Sequence, residues 1–173
     1  MSNRATIRFF DIETTNLAAD FGRMVSFCWM DLGENKPHKA SILVYGSKDP
    51  LNDKRLAKLA YDKLSEADII VGHYSTKFDL PFINSRLRYY DYSVVPPVKH
   101  IDTWRISRNK LKLQSNRMDN VAAFFGLRRK TKLEKEDWLR LSIYDPQMIR
   151  KITDYCADDV ICLHDVYLKL RPM

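Results

Sequence analysis

The sequence predicts a mixed α/β fold, on three observations. Runs rich in aromatic and β-branched residues, separated by short turn-forming links, fill the first 45 positions. A helical period takes over at residues 51–65. A long amphipathic stretch then runs from Asp145 to Leu170, with no repeat, low-complexity tract or linker between. At 173 residues the chain suits one domain, 1–173, with a sizeable core.

Taken in order, Arg4 to Phe10 reads as a first strand ending at the carboxylates Asp11 and Glu13. Met24 to Leu32 is a second strand, stopping before Gly33, and Lys39 to Tyr45 a third, closed by Gly46. The links hold Asn16, Asp20, Gly22, Gly33, Asn35 and Pro37, so an antiparallel meander is the economical topology. Leu51, Leu56, Leu59, Ala60 and Leu64 then share one side of a helix. Asp68 to Val71 is a short buried strand reaching Gly72, and a helix follows over about 78–90. Val98 to Trp104 is the last strand, after Pro96 and Pro97. Two short helices come next, the second over about Met118–Phe125, and residues 127–132 read as an exposed mobile loop. The final helix begins at Asp145-Pro146, an N-cap followed by a first-turn proline.

Hydrophobic content of 45% and charged content of 29% are globular values. No apolar run approaches the ~20 residues of a membrane helix, so no membrane partner is expected. Met1-Ser2-Asn3-Arg4 lacks the apolar core of a secretory signal. Cys28, Cys156 and Cys162 lie in apolar segments and read as reduced core residues, which points to a cytoplasmic protein. A zinc site from Cys156, Cys162 and His164 matches no common ligand spacing.

The net charge is +7, and its distribution is uneven. Arg105, Arg108, Lys110, Lys112, Arg117, Arg128, Arg129, Lys130 and Lys132 stand against the single acid Asp119, giving that segment +8 and the remainder about −1. Such a local excess is the footprint of a polyanion partner, the alternative being a solvated basic face.

Asp11 and Glu13 stand at i, i+2, which on a strand puts both side chains on one face. Like charges so close favour a cation between them, although a solvated strand end is the commoner fate of such a pair. Asp79 opens a helix after the buried strand, where an acid also complements the macrodipole. In the last helix Tyr155 and Asp159 stand at i, i+4, beside Ile152 and Cys162. A carboxylate on an apolar stripe calls for a partner, because burying it alone is costly.

The phrases Phe-Asp-Ile-Glu-Thr-Thr, Phe-Asp-Leu-Pro and Tyr-Cys-Ala-Asp-Asp resemble the Exo I, Exo II and Exo III motifs of the DEDD 3′-5′ exonucleases. They are closest to the proofreading domains of family-B DNA polymerases and their stand-alone relatives. Asp11 and Glu13 match the first motif, Asp79 the second and Asp159 the third. Tyr155, four residues before Asp159, is the mark of the tyrosine subtype, DEDDy; the histidine subtype would need His where Asp154 stands. The second motif departs at Tyr74, where the family commonly has Asn.

The resemblance implies a ribonuclease H-like mixed sheet: an antiparallel three-strand meander plus two parallel strands, flanked by helices. It implies a metal-dependent 3′-5′ exonuclease acting on single-stranded nucleic acid, DNA favoured, through two divalent cations, Mg²⁺ or Mn²⁺. Asp11 would bridge the ions, Glu13 and Asp159 would hold the nucleophile-side ion, and Asp79 would serve the other. Tyr155 would orient the attacking water, since a phenol of pKa ~10 is a poor base. Thr14, Leu17 and Phe78 are candidates to contact the 3′ end, with core packing the alternative for Leu17 and Phe78. Arg105, Arg108, Lys110, Arg128, Arg129 and Lys130 would track the phosphate backbone. His73 could donate to a phosphate or serve the strand end.

An RNA-processing exoribonuclease of the same fold and a non-catalytic nucleic-acid-binding module are the alternatives. Expected partners are single-stranded DNA or RNA 3′ ends, with room for a replication or repair protein. The expected location is the cytoplasm, or a host's cytoplasm or nucleoid for a mobile element.

Overall fold

A computed structural model of the chain describes residues 5–46, 49, 52–127, 133–142 and 144–173, the side chains of 135, 138 and 142 excepted. Five strands form one mixed sheet: β1 (Ile7–Thr14), β2 (Met24–Asp31), β3 (His38–Ser41), β4 (Ile69–Gly72) and β5 (Lys99–Asp102), in the order β3-β2-β1-β4-β5. The helices are α1 (Ile42–Tyr45), α2 (Lys54–Ser65), α3 (Asp79–Tyr89), α4 (Thr103–Lys110), α5 (Met118–Phe124), α6 (Lys135–Ser142) and α7 (Pro146–Leu170).

The expected antiparallel meander is present: β1 pairs with β2 from Arg8↔Asp31 to Glu13↔Ser26, and β2 pairs with β3. The two expected parallel strands are present as well, β4 against β1 and β5 against β4.

Strand parity divides the core in two. Phe10 and Ile12 of β1 pack with Leu56, Ala60 and Leu64 of α2 and with Phe82, Ile83 and Leu87 of α3. Phe9 packs on the opposite face with Val121 of α5 and with Cys156, Val160, Leu163 and Val166 of α7. Asp11 and Glu13 share the parity of Phe9, so the sequence aims both carboxylates at the α7 side of the sheet.

Three element boundaries differ from expectation. β1 continues through the acids to Thr14, with a register irregularity between Glu13 and Thr14, so the carboxylates lie within the strand and not at its end. The third strand stops at Ser41, and Ile42–Tyr45 forms a helical turn closed by the Gly46 N–H on the Ile42 carbonyl, 2.6 Å. The last strand stops at Asp102, whose side chain accepts the Trp104 N–H and starts α4.

α6 was not anticipated. Asp137 in its first turn accepts the Glu134 N–H at 3.0 Å and the Lys151 ammonium of α7 at 2.7 Å. α7 begins as expected: the Asp145 side chain accepts the Gln147 and Met148 N–H groups, and Pro146 occupies the first turn. The 127–132 loop falls, apart from Leu127, outside the described residues. The three cysteines are buried and unbridged. Among the described residues no helix is long and apolar enough to cross a membrane.

Candidate metal and nucleic-acid site

Three of the expected acids converge. Asp11 and Glu13 project from β1, and Asp159 comes from the buried stripe of α7; one oxygen of each lies within 4.8 Å of the others. Asp159 is 2% exposed, while Asp11 and Glu13 are half-buried. α7 is fixed at this height because the Cys156 thiol, one turn before Asp159, donates to the Asp11 carbonyl at 3.4 Å. One turn earlier still, the Thr153 carbonyl accepts the Cys28 thiol of β2 at 3.6 Å. Burial, followed by the neighbouring Cys28, pushes the Cys156 thiol well above its ordinary range, so it stays protonated and able to donate.

The fourth acid arrives from the other side. Asp79, 4% exposed, is the first residue of α3, and its Oδ1 accepts the Ile12 N–H at 3.3 Å. Pairing of β1 with β4 reaches only Phe9↔Val71, which leaves the Ile12 N–H beyond the last rung of that ladder. The carboxylate therefore docks on the residue that separates Asp11 from Glu13. Its pKa is pushed up from 3.8 to about 7, chiefly by burial. The charges of Asp102 and Asp159 add to the rise, and the Ile12 N–H opposes it. Tyr155, half-buried, stands one turn before Asp159 on α7.

Carboxylate oxygens of several acids gathered so closely suit a hard divalent cation, because Mg²⁺ and Mn²⁺ take oxygen ligands and offset the mutual repulsion. The donor set fits such ions. It holds no thiolate or imidazole that would favour a softer metal.

The expected nucleic-acid contacts are distributed differently. Thr14 is buried, and its hydroxyl donates to the Asn16 carbonyl at 2.8 Å, folding the loop that follows β1. On that loop Leu17 is 83% exposed. Phe78 is half-buried, packing against the α3 side of the core with its ring 5.8 Å from Phe82. Arg105, Arg108 and Lys110 are exposed on α4. Arg128, Arg129 and Lys130 lie outside the described residues. His73 lodges at the end of β4, its Nε2 donating to the Asn116 carbonyl at 2.9 Å and its Nδ1 2.9 Å from the Thr103 hydroxyl.

Sequence reasoning missed Asp102. Buried at the end of β5, it accepts the Tyr74 N–H (2.8 Å), the Trp104 N–H (3.0 Å), the Thr76 N–H (3.1 Å) and the Thr76 hydroxyl (2.6 Å). The signal available was Asp-Thr-Trp at the end of an apolar run, an N-cap pattern. A second omission was the ion pair of Arg86 and Asp53, both fully buried, with Arg86 also donating to the Ala19 carbonyl of the Leu17 loop.

A family model described as the RNase_H superfamily matches residues 8–171. No curated protein matches the sequence. Among solved structures, the family B DNA polymerase from the hyperthermophilic archaeon Pyrobaculum calidifontis is similar, with a TM-score of 0.79 at 19% identity. That similarity covers 97% of this chain and 25% of the polymerase chain, so the present chain spans a quarter of its length. At this identity the likeness speaks to the fold.

Proposed function

We propose that this chain, which belongs to the RNase H superfamily, forms one metal-dependent 3′-5′ exonuclease domain of the DEDDy type acting on single-stranded nucleic acid, with DNA favoured. The observation that carries this reading is the meeting of Asp11, Glu13 and Asp159 within 4.8 Å. Asp79 docked on the Ile12 N–H supports it.

Asp11, Glu13, Asp79 and Asp159 would hold the divalent cations, with Glu13 and Asp159 serving an ion on the nucleophile side, Asp79 one on the leaving-group side, and Asp11 contributing to both. Bound there, the ions would neutralise the scissile phosphate and make a water nucleophilic at neutral pH. The chain supplies the rest. The buried Asp159 and Asp79 fix the two sides of the carboxylate group, and the Cys156 bond to the Asp11 carbonyl holds helix and strand in register. Tyr155 orients the attacking water through its hydroxyl, a phenol being a poor general base at neutral pH. The exposed Leu17 packs against the terminal base, and the cations of α4 hold the backbone.

The test is a 5′-labelled oligonucleotide incubated with Mg²⁺ or Mn²⁺, in DNA and RNA versions. A shortening ladder abolished by EDTA and by Asp11→Ala is the expected result, with DNA the faster substrate. Binding without shortening in either metal overturns the proposal, and faster shortening of RNA reassigns the substrate.

A further inference from the structure

Tyr74 occupies an uncomfortable position. Its backbone is left-handed, φ +63°, a region in which residues other than glycine are uncommon and Asn and Asp are the best tolerated. The residue is nevertheless 43% exposed. Such strain persists where surrounding structure over-determines it, and it concentrates at functional sites. Here the surroundings are clear: the Tyr74 N–H is held by Asp102, and the Tyr74 carbonyl accepts the N–H groups of Lys77 and Phe78, the residues leading to Asp79. The same Asp102 oxygen takes the Trp104 N–H, which brings the two aromatic residues together edge to face, ring centroids 5.0 Å apart. Arg108, one turn on in α4, lays its guanidinium over the Trp104 ring at 5.3 Å. Arg105 and Lys110 extend the positive charge along the same helix.

We infer that Tyr74, Trp104 and Arg108 form a nucleotide subsite beside the carboxylates. The Tyr74 ring stacks on one base of the single strand, Trp104 sets the angle of that ring, and Arg108 takes the adjoining phosphate. The inference rests on the exonuclease reading for its substrate and adds a base contact upstream of the reacting phosphate. Two features favour a nucleotide over a protein side chain as occupant. Tyr74 is exposed, and the Trp104 ring against it carries the Arg108 guanidinium. Base stacking is indifferent to sequence, as an exonuclease requires.

The experiment measures binding of the full chain to a 5′-fluorescein-labelled thymidine 12-mer in EDTA, with single abasic replacements scanned along the strand. In the wild type, an abasic replacement at one position should weaken binding about fivefold or more. Tyr74→Asn should weaken binding to the intact strand by a similar factor and abolish that positional penalty, while thermal stability holds or rises because Asn tolerates the left-handed backbone. Trp104→Leu, which keeps the backbone bond to Asp102, should shrink the same penalty and serves as a second variant. Arg108→Ala should lower the slope of log affinity against log salt by about 0.7, the loss of one phosphate contact. A flat abasic scan, or a penalty that survives in Tyr74→Asn and Trp104→Leu, overturns the subsite. Shortening in Mg²⁺ or Mn²⁺ is scored separately. A ladder with an unchanged penalty in both variants removes the subsite and leaves the exonuclease. A Tyr74-dependent penalty without a ladder does the reverse, and absence of both binding and a ladder removes both.

Discussion

Asp79 meets two opposed demands, since the fold buries it and the proposed chemistry needs it charged. Its folded pKa of about 7 lies above the ordinary 3.8, so the protonated form is the one that folding favours. The associated stability is complete below the ordinary value and is lost as pH rises through about 7. In EDTA the melting temperature should therefore fall between about pH 5 and pH 8, and millimolar Mg²⁺ or Mn²⁺ should restore it most at the alkaline end. Asp79→Asn keeps an acceptor for the Ile12 N–H and removes the charge. It should flatten the cation-free profile while cutting kcat at least about 100-fold, the loss expected when charge stabilisation worth several kcal/mol disappears. Differential scanning fluorimetry and single-turnover cleavage report the two effects separately. At this scale Asp11, Glu13, Asp79, Tyr155 and Asp159 could be marked from local patterns. Local pattern marks Asp102 only as the N-cap that takes the Trp104 N–H; its other N–H partners belong to Tyr74 and Thr76, far upstream.

Elements were legible where one signal ruled and misread where tertiary packing intervened. The start of α7 was plain from Asp145-Pro146; Asp145→Ala removes a cap bonded to Gln147 and should cost ~1 kcal/mol in urea denaturation. The run Ile42-Leu43-Val44-Tyr45 looked like a strand because Ile and Val favour one. Yet its pairing with β2 ends at Ser41, opposite Ser26, although β2 itself runs on to Met24, and the chain turns helical beyond it. α6 escaped notice because its anchor, the Asp137–Lys151 pair, reaches to another helix. The contact between α2 and α3 was likewise invisible. Asp53 there takes two N–H groups of Arg86, the Tyr90 hydroxyl at 2.7 Å and the Met24 N–H at 2.8 Å, joining the approach to α2, α3 and the start of β2. Burial and the adjacent Asp53 push the Tyr90 phenol up to about 12, so it remains a donor. Arg86→Leu strands the buried Asp53 charge and should cost about 3–5 kcal/mol in the same assay.

For the molecule as a whole, fold class was readable because strand, turn and helix signals agreed along most of the chain. The antiparallel meander followed from three short-linked strands, while the two parallel strands followed from the motif resemblance. Convergence of Asp11, Glu13 and Asp159 was expected from the motif resemblance alone; spacing and composition do not show that β1 parity and the α7 stripe bring them together, which is a property of packing. The charge imbalance has a global readout. Replacing Arg105, Arg108 and Lys110 together by alanine should lower the salt dependence of single-strand binding by a log–log slope of about 2, measured by anisotropy across a salt series.

The Cys156 thiol on the Asp11 carbonyl ties β1 to a helix residue 145 positions downstream. During synthesis, a ribosome-bound chain still lacking residue 159 has only two of the three clustered carboxylates, however much of the sheet has formed. Truncated products released before that point are similarly deprived. On the exonuclease reading, the proposed cation site stays incomplete until α7 docks on the sheet.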